Sequence, residues 1–174
     1  MRKLILYIAS SLDGFIAGPA DDLSFLNPMH VEGEDYGYGE FISGVDTVIV
    51  GRRTYDWVIN QGVDFPHKDK ACYIITSEEK PSEGNLNFYT GDLKALVNQL
   101  KGENGKNIFC DGGAKVVNSL LKEKLFDELI ISVVPVLLGD GVMLFQGQRP
   151  TQQLKLKEVK NYPSGMVQLH YKVP

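Results

Sequence analysis

The sequence has little of what several specialised protein classes depend on. It holds two cysteines, Cys72 and Cys110, in no Cys-x-x-Cys pair, and three scattered histidines, His30, His67 and His170. A disulfide scaffold and a metal site of ordinary zinc spacing are therefore set aside. Positive charge is not in excess: 18 Lys and Arg stand against 22 Asp and Glu, a formal charge of −4. Nucleic-acid binders carry basic excess on at least one face, so that class is excluded too. Long hydrophobic runs are missing, and Leu4–Ala9 and Leu129–Leu138 are far too short to span a bilayer. Arg2 and Lys3 precede the first run, but Ser10, Ser11 and Asp13 cut it before the apolar region of an export signal forms. A cytoplasmic location is expected. There is no internal repeat, low-complexity tract or linker, so residues 1–174 read as a single domain long enough to bury a core.

What is present is an alternation of short apolar strands and helices. Lys3–Ala9, Asp46–Gly51, Ala71–Thr76, Leu86–Thr90, Asn107–Asp111 and Phe126–Val136 read as strands, several of them apolar on both faces. A helix is expected over Arg52–Ile59, another from Asp92, as its cap, to Lys101, and a third over Ala114–Lys124. A weaker one is placed from Glu34 to Ser43, loosened by Gly37 and Gly39. Leu154–Lys160 and Met166–Val173, joined by Pro163-Ser-Gly165, read as an antiparallel hairpin. The pattern predicts an α/β fold: a mostly parallel sheet covered by helices on both faces, with antiparallel strands at one edge.

The 18 glycines matter through their positions. At Asp111-Gly112-Gly113-Ala114 a strand turns into a helix, whose free N–H groups and positive dipole end suit a phosphate. At Gly51-Arg52-Arg53-Thr54 a second such turn carries two guanidinium groups, the preferred fork for a phosphate. A Gly-Gly turn alone, or a basic helix end alone, is as well explained by connectivity or solvation. Two together point to an extended dinucleotide across the carboxyl ends of the strands.

In order along nearly the whole chain stand Ser11-Leu-Asp-Gly-Phe-Ile-Ala17, Gly51-Arg-Arg-Thr-Tyr55, Asp111-Gly-Gly113, Leu125–Leu129, Pro135–Gly139 and Phe145. This set resembles the dihydrofolate reductase superfamily, and within it the branch related to the C-terminal reductase domain of the bifunctional riboflavin-biosynthesis protein. The resemblance implies a mixed eight-stranded sheet flanked by helices, NADPH as cofactor and a homodimer. It implies that Gly51, Arg52 and Thr54 meet the adenosine phosphates, with Arg52 on the 2′-phosphate and Arg53 as its fallback. Thr76 and Ser77 match small hydroxyl positions facing that phosphate. Gly112, Gly113 and Ala114 match the pyrophosphate turn behind Asp111, Ala9 the strand that holds the nicotinamide carboxamide, and Ile16 an apolar residue packed on the cofactor.

The same resemblance places Asp35 at the catalytic acid, by an ungapped count back from Gly51, and Ser132 where a hydroxyl partners it. A solvated acidic helix start explains Asp35 equally well, since Glu32, Glu34 and Glu40 crowd the segment. A working acid there needs burial to raise its pKa. Asp13 is read as holding a turn. Gly39 stands where folate-binding relatives carry an apolar residue, their tryptophan-containing loop is missing, and Phe15 replaces the riboflavin branch's lysine. The expected activity is NADPH-dependent hydride transfer to a ribosylated aminopyrimidine or related planar heterocycle. The rivals are a dihydrofolate reductase and a nucleotide-binding domain without catalysis.

Overall fold

Strands that are apolar on both faces need cover on both faces, and here they find it. The computed structural model describes residues 1–174. Its main sheet contains β1 (Leu4–Ser11), β3 (Val45–Gly51), β4 (Ala71–Ile75), β5 (Leu86–Tyr89), β6 (Asn107–Gly112), β7 (Glu128–Val134), β9 (Lys155–Asn161) and β10 (Val167–Lys172). They lie in the order β5-β4-β3-β6-β1-β7-β10-β9. The first six of that order are mutually parallel, and the terminal hairpin adds β10 antiparallel to β7.

Helices α3 (Leu93–Gly102) and α4 (Ala114–Lys122) cover one face, where Leu96, Val97, Leu100, Val117 and Leu120 pack on Leu4, Leu6, Ile49 and Ile108. Helices α1 (Tyr38–Ser43) and α2 (Arg52–Asn60) cover the other, with Tyr38, Phe41, Tyr55 and Val58 against Val48, Val50, Ile74 and Phe109. This is the expected three-layer arrangement. Cys72 and Cys110 are buried in it as packing groups, and burial pushes both thiols up to about 12. The cap at Asp92 is also as expected, its carboxylate accepting the Ala95 N–H at 2.9 Å. Asp92→Ala is expected to cost about 1 kcal/mol in urea denaturation, the usual worth of a side-chain cap.

Three local features depart from the expectation. Helix α1 starts at Tyr38 instead of Glu34, because Gly37 sits at φ +80° and the chain cannot wind helically through it. Strand β7 stops at Val134, before Pro135, which has no N–H to continue a ladder. A small second sheet pairs β2 (Phe15–Ala17) with β8 (Val142–Met143), strands too short to leave a periodic signal. No helix is long and apolar enough to cross a membrane.

Candidate functional site

Strands β3 and β6 are parallel neighbours, with Val50 opposite Gly112. From β3 the chain leaves through α2 on one face towards β4; from β6 it leaves through α4 on the opposite face towards β7. Connections that part in this way open a crevice at the carboxyl ends of the two strands. Both helix starts face it. The turns themselves touch: a Cβ on Gly51 would stand 3.2 Å from Val116 Cγ2 and 3.4 Å from the Gly113 nitrogen, and one on Gly113 would stand 2.8 Å from Thr54 Oγ1. Gly112 has φ +103°, open to glycine and strained for other residues. Glycine is therefore what lets two helix N-termini converge.

The charged groups of this crevice are largely paired. Arg52 Nε lies 2.7 Å from both carboxylate oxygens of Asp56, one helical turn on, and its Nη1 lies 3.7 Å from Glu78 Oε2. That Nη1 is buried and has no hydrogen-bond partner. The guanidinium also lies 5.7 Å from the centre of the Phe88 ring. Arg53 points elsewhere, exposed and bonded to Asp21 at 2.8 Å. Thr76 follows β4 and its hydroxyl accepts the Glu78 N–H at 3.1 Å; Ser77 beside it is exposed. Asp111, next to last in β6, faces the α1 and α2 side, where the buried His67 reaches it, Nε2 to Oδ2 3.4 Å. The His67 ring stands edge-on to Phe65 and Phe109. Burial raises the pKa of the nearby Tyr38 phenol, and the Asp111 charge adds to the effect.

On the β1 side, Ala9 is in register with Ser132, and Ile16 packs from β2 onto the α3 and α4 core. Ser132 is buried and bonded to Gln168 Nε2 at 3.1 Å, so its partner is an amide and not the expected acid. Gln168 also donates to Tyr7 Oη at 3.0 Å and to the Tyr36 carbonyl at 3.3 Å. The Tyr7 and Tyr162 hydroxyls donate to that same carbonyl at 3.0 and 3.1 Å. Three donors thus hold Tyr36 at φ +55°, a conformation non-glycine residues rarely adopt unaided.

Asp35 does not enter this buried network. It is exposed, and its two oxygens accept the N–H groups of Gly37 at 2.8 Å and Gly39 at 3.0 Å. Those bonds hold its carboxyl below the usual range, the opposite of what a proton donor needs. Gly39 serves the same turn, since a Cβ there would stand 2.7 Å from Asp35 Oδ2. Asp13 holds a turn as read: it takes the Ser11 hydroxyl at 2.5 Å and the Leu138 and Gly139 N–H groups at 3.1 and 2.8 Å.

Residue reasoning passed over Asp56, Glu78, His67 and Gln168. The i,i+4 spacing of Arg52 and Asp56 on one helix is a signal that was there to be read. His67 with Asp111 and Gln168 with Ser132 join distant segments and leave no local trace.

Comparison with known proteins agrees with the architecture. Residues 2–168 match the family model of the RibD C-terminal domain. The uncharacterized protein YwjB of Bacillus subtilis (strain 168) is 43% identical over 171 residues, covering 98% of this chain and 97% of that one. YyaP of the same organism, also uncharacterized, is 29% identical over 181 residues, 98% of this chain and 94% of its own. A putative riboflavin biosynthesis protein from Shewanella sp. PV-4 superposes with a TM-score of 0.90 at 26% identity, covering 99% of both chains. The Thermotoga maritima diaminohydroxyphosphoribosylaminopyrimidine deaminase/5-amino-6-(5-phosphoribosylamino)uracil reductase shares the fold at a TM-score of 0.74 and 15% identity, over 99% of this chain and 57% of that one. Sequence and architecture converge, and the chain belongs to the RibD C-terminal domain family.

Proposed function

We propose that this chain is an NADPH-dependent reductase that delivers hydride to a ribosylated aminopyrimidine of the 5-amino-6-(5-phosphoribosylamino)uracil type, or to a related planar heterocycle. The observation that carries the reading is the convergence of two strand–glycine–helix turns at the parting of β3 and β6. NADPH fits the residues there. Arg52 has a buried nitrogen without a partner, and Gly51 and Gly113 keep open a cradle that side chains would fill. In this reading Gly51, Arg52, Thr54, Thr76 and Ser77 hold the adenosine ribose and its 2′-phosphate, with Arg53 as a second cation at the rim. Asp111, Gly112, Gly113 and Ala114 border the pyrophosphate, and Ala9 and Ile16 the nicotinamide. Bound NADPH supplies the hydride; the chain supplies orientation, exclusion of water and the proton balance.

Hydride transfer leaves the reduced substrate needing a proton. Asp35, exposed and held ionised by two backbone N–H groups, is assigned to shaping the substrate-side loop. Ser132 joins it in that role through Gln168 and the Tyr36 carbonyl. Asp111 is the carboxylate next to the glycine turn, with His67 behind it, and is assigned the exchange of that proton with water. Asp111→Asn is expected to lower turnover about a hundredfold, whereas Asp35→Asn leaves it within about twofold, both read from NADPH oxidation. The deciding experiment follows NADPH oxidation with the ribosylaminopyrimidine and then with dihydrofolate. Turnover of the first is expected. Turnover of dihydrofolate alone would make the chain a dihydrofolate reductase, and cofactor binding without either turnover would make it a nucleotide-binding domain.

The reading includes a cytoplasmic homodimer. What supports association is the outermost strand β9, which exposes Leu156 and Val159, with Leu154 just before it, along an unpaired sheet edge. Two free, buried cysteines suit a reducing compartment.

A further inference from the structure

The crevice at the start of α2 carries more negative charge than a 2′-phosphate site needs. Arg52 is held through Nε by Asp56, at 2.7 Å to each oxygen. Its Nη1 faces Glu78 Oε2 at 3.7 Å, too far for a hydrogen bond and near enough for a water-screened Coulomb attraction. Lys80 stacks over the same Phe88 ring as Arg52, each 5.7 Å from its centre, and an open surface groove runs there beside Glu79 and Thr90. Two cations, Arg52 and Lys80, thus share the rim with three carboxylates, Asp56, Glu78 and Glu79.

A 2′-phosphate carries close to two negative charges at neutral pH. To bind at Arg52 it must displace Glu78 from the guanidinium or sit beside it against repulsion. A ribose 2′-hydroxyl has no such conflict: it donates a hydrogen bond to a carboxylate, the arrangement by which acidic side chains recognise NADH. Asp56 and Glu78 are not equivalent here. Asp56 is the helical partner that fixes the direction of the guanidinium. Glu78 makes no hydrogen bond with Arg52, its side chain is 73% exposed, and it lies on the loop after β4, next to Thr76 and Ser77. It is the carboxylate able to turn to either the arginine or a sugar hydroxyl.

Building on the NADPH reading above, we propose that Glu78 is a specificity-determining residue that narrows the preference for NADPH over NADH, so that the chain binds both. In the NADH complex its carboxylate accepts a hydrogen bond from the ribose 2′-hydroxyl. In the NADPH complex it turns outward and the phosphate takes Arg52 Nη1.

The test is a pair of equilibrium titrations, NADPH and NADH, read by cofactor fluorescence with the full chain. Wild-type dissociation constants within about tenfold of each other are expected. Glu78→Gln removes one charge at an exposed position where folding is little affected, and is expected to shift the ratio about three- to tenfold towards NADPH. The shift should shrink as salt is raised, and Glu78→Asp should keep the wild-type ratio. Calorimetry with adenosine 2′,5′-bisphosphate and adenosine 5′-monophosphate isolates the same discrimination from the nicotinamide half. A wild-type NADPH preference beyond tenfold, or a ratio that Glu78→Gln leaves unmoved, overturns the inference while the NADPH reading stands. Binding of neither dinucleotide overturns both.

Discussion

Glu128→Gln is expected to lower stability at neutral pH by about 3 kcal/mol, with the loss disappearing as the pH falls to about 2. Glu128 is 4% exposed at the start of β7, at the end of the sheet away from the glycine turns. Burial alone pushes its pKa up. Hydrogen bonds from Lys3 at 2.6 Å, His170 at 2.6 Å and Lys157 at 3.2 Å more than reverse this, and the carboxyl is held down at about 2. A folded-state pKa below the unfolded one adds stability that is complete above the unfolded value, near 4.5, and lost as the pH falls through the folded one. Urea denaturation of both proteins from pH 7 to pH 2 should show two curves that run parallel above pH 5 and converge below. A constant offset across that range would mean that lost packing, not lost ionisation, sets the cost. Lys3→Met and Lys157→Met should each cost less than about 1 kcal/mol, because those ammonium groups are half exposed and Glu128 keeps two other partners.

This cluster also shows where sequence reading reaches its limit. Glu128 reads as one charged residue in an apolar strand; its partners Lys3, Lys157 and His170 come from just before β1, from β9 and from β10, and only the sheet order brings them together. The parallel strands were legible because they are short apolar runs closed by glycine, proline or polar residues. The cap at Asp92 was legible because capping is local. The glycine turns were legible for the same reason, since a strand, a glycine and a helix start are consecutive. What was not legible joins distant segments: His67 to Asp111, Gln168 to Ser132 and Tyr36, and the β2–β8 pairing. Asp35 illustrates the difference. Counting positions placed it at an acid, but whether a carboxylate is an acid or a cap depends on what surrounds it, and here two glycine N–H groups do. The glycine-turn side of the crevice is built from local turns and the Ser132–Gln168–Tyr36 side from long-range contacts, which is why the sequence spoke more clearly about the first.

The glycine turn itself offers the larger effect on function. Gly113→Val is expected to weaken NADPH binding about a hundredfold, a loss of about 3 kcal/mol. A Cβ at Gly113 would stand 2.8 Å from Thr54 Oγ1, closer than van der Waals contact permits, and meets no other atom within 4 Å, so Thr54 must shift and the valine methyl groups intrude on the crevice between the starts of α2 and α4. In the reading proposed above the start of α4 presents the N–H groups that face the pyrophosphate, and the start of α2 meets the adenosine ribose and its 2′-phosphate. Losing two charge-assisted hydrogen bonds of about 1.5 kcal/mol each accounts for the expected loss. The cost to stability should be smaller, about 1–3 kcal/mol, the usual penalty of overpacking at one position. The clash also makes a sharper test possible, because its partner is a named side chain. Thr54→Ala removes the hydroxyl that the new Cβ would meet, so Gly113→Ala combined with Thr54→Ala should bind NADPH more tightly than the two single losses add up to. Simple additivity would place the clash elsewhere. Wild-type binding by Gly113→Val would mean that the pyrophosphate does not sit at this turn, since a β-branched side chain there occupies the space that the missing Cβ leaves open.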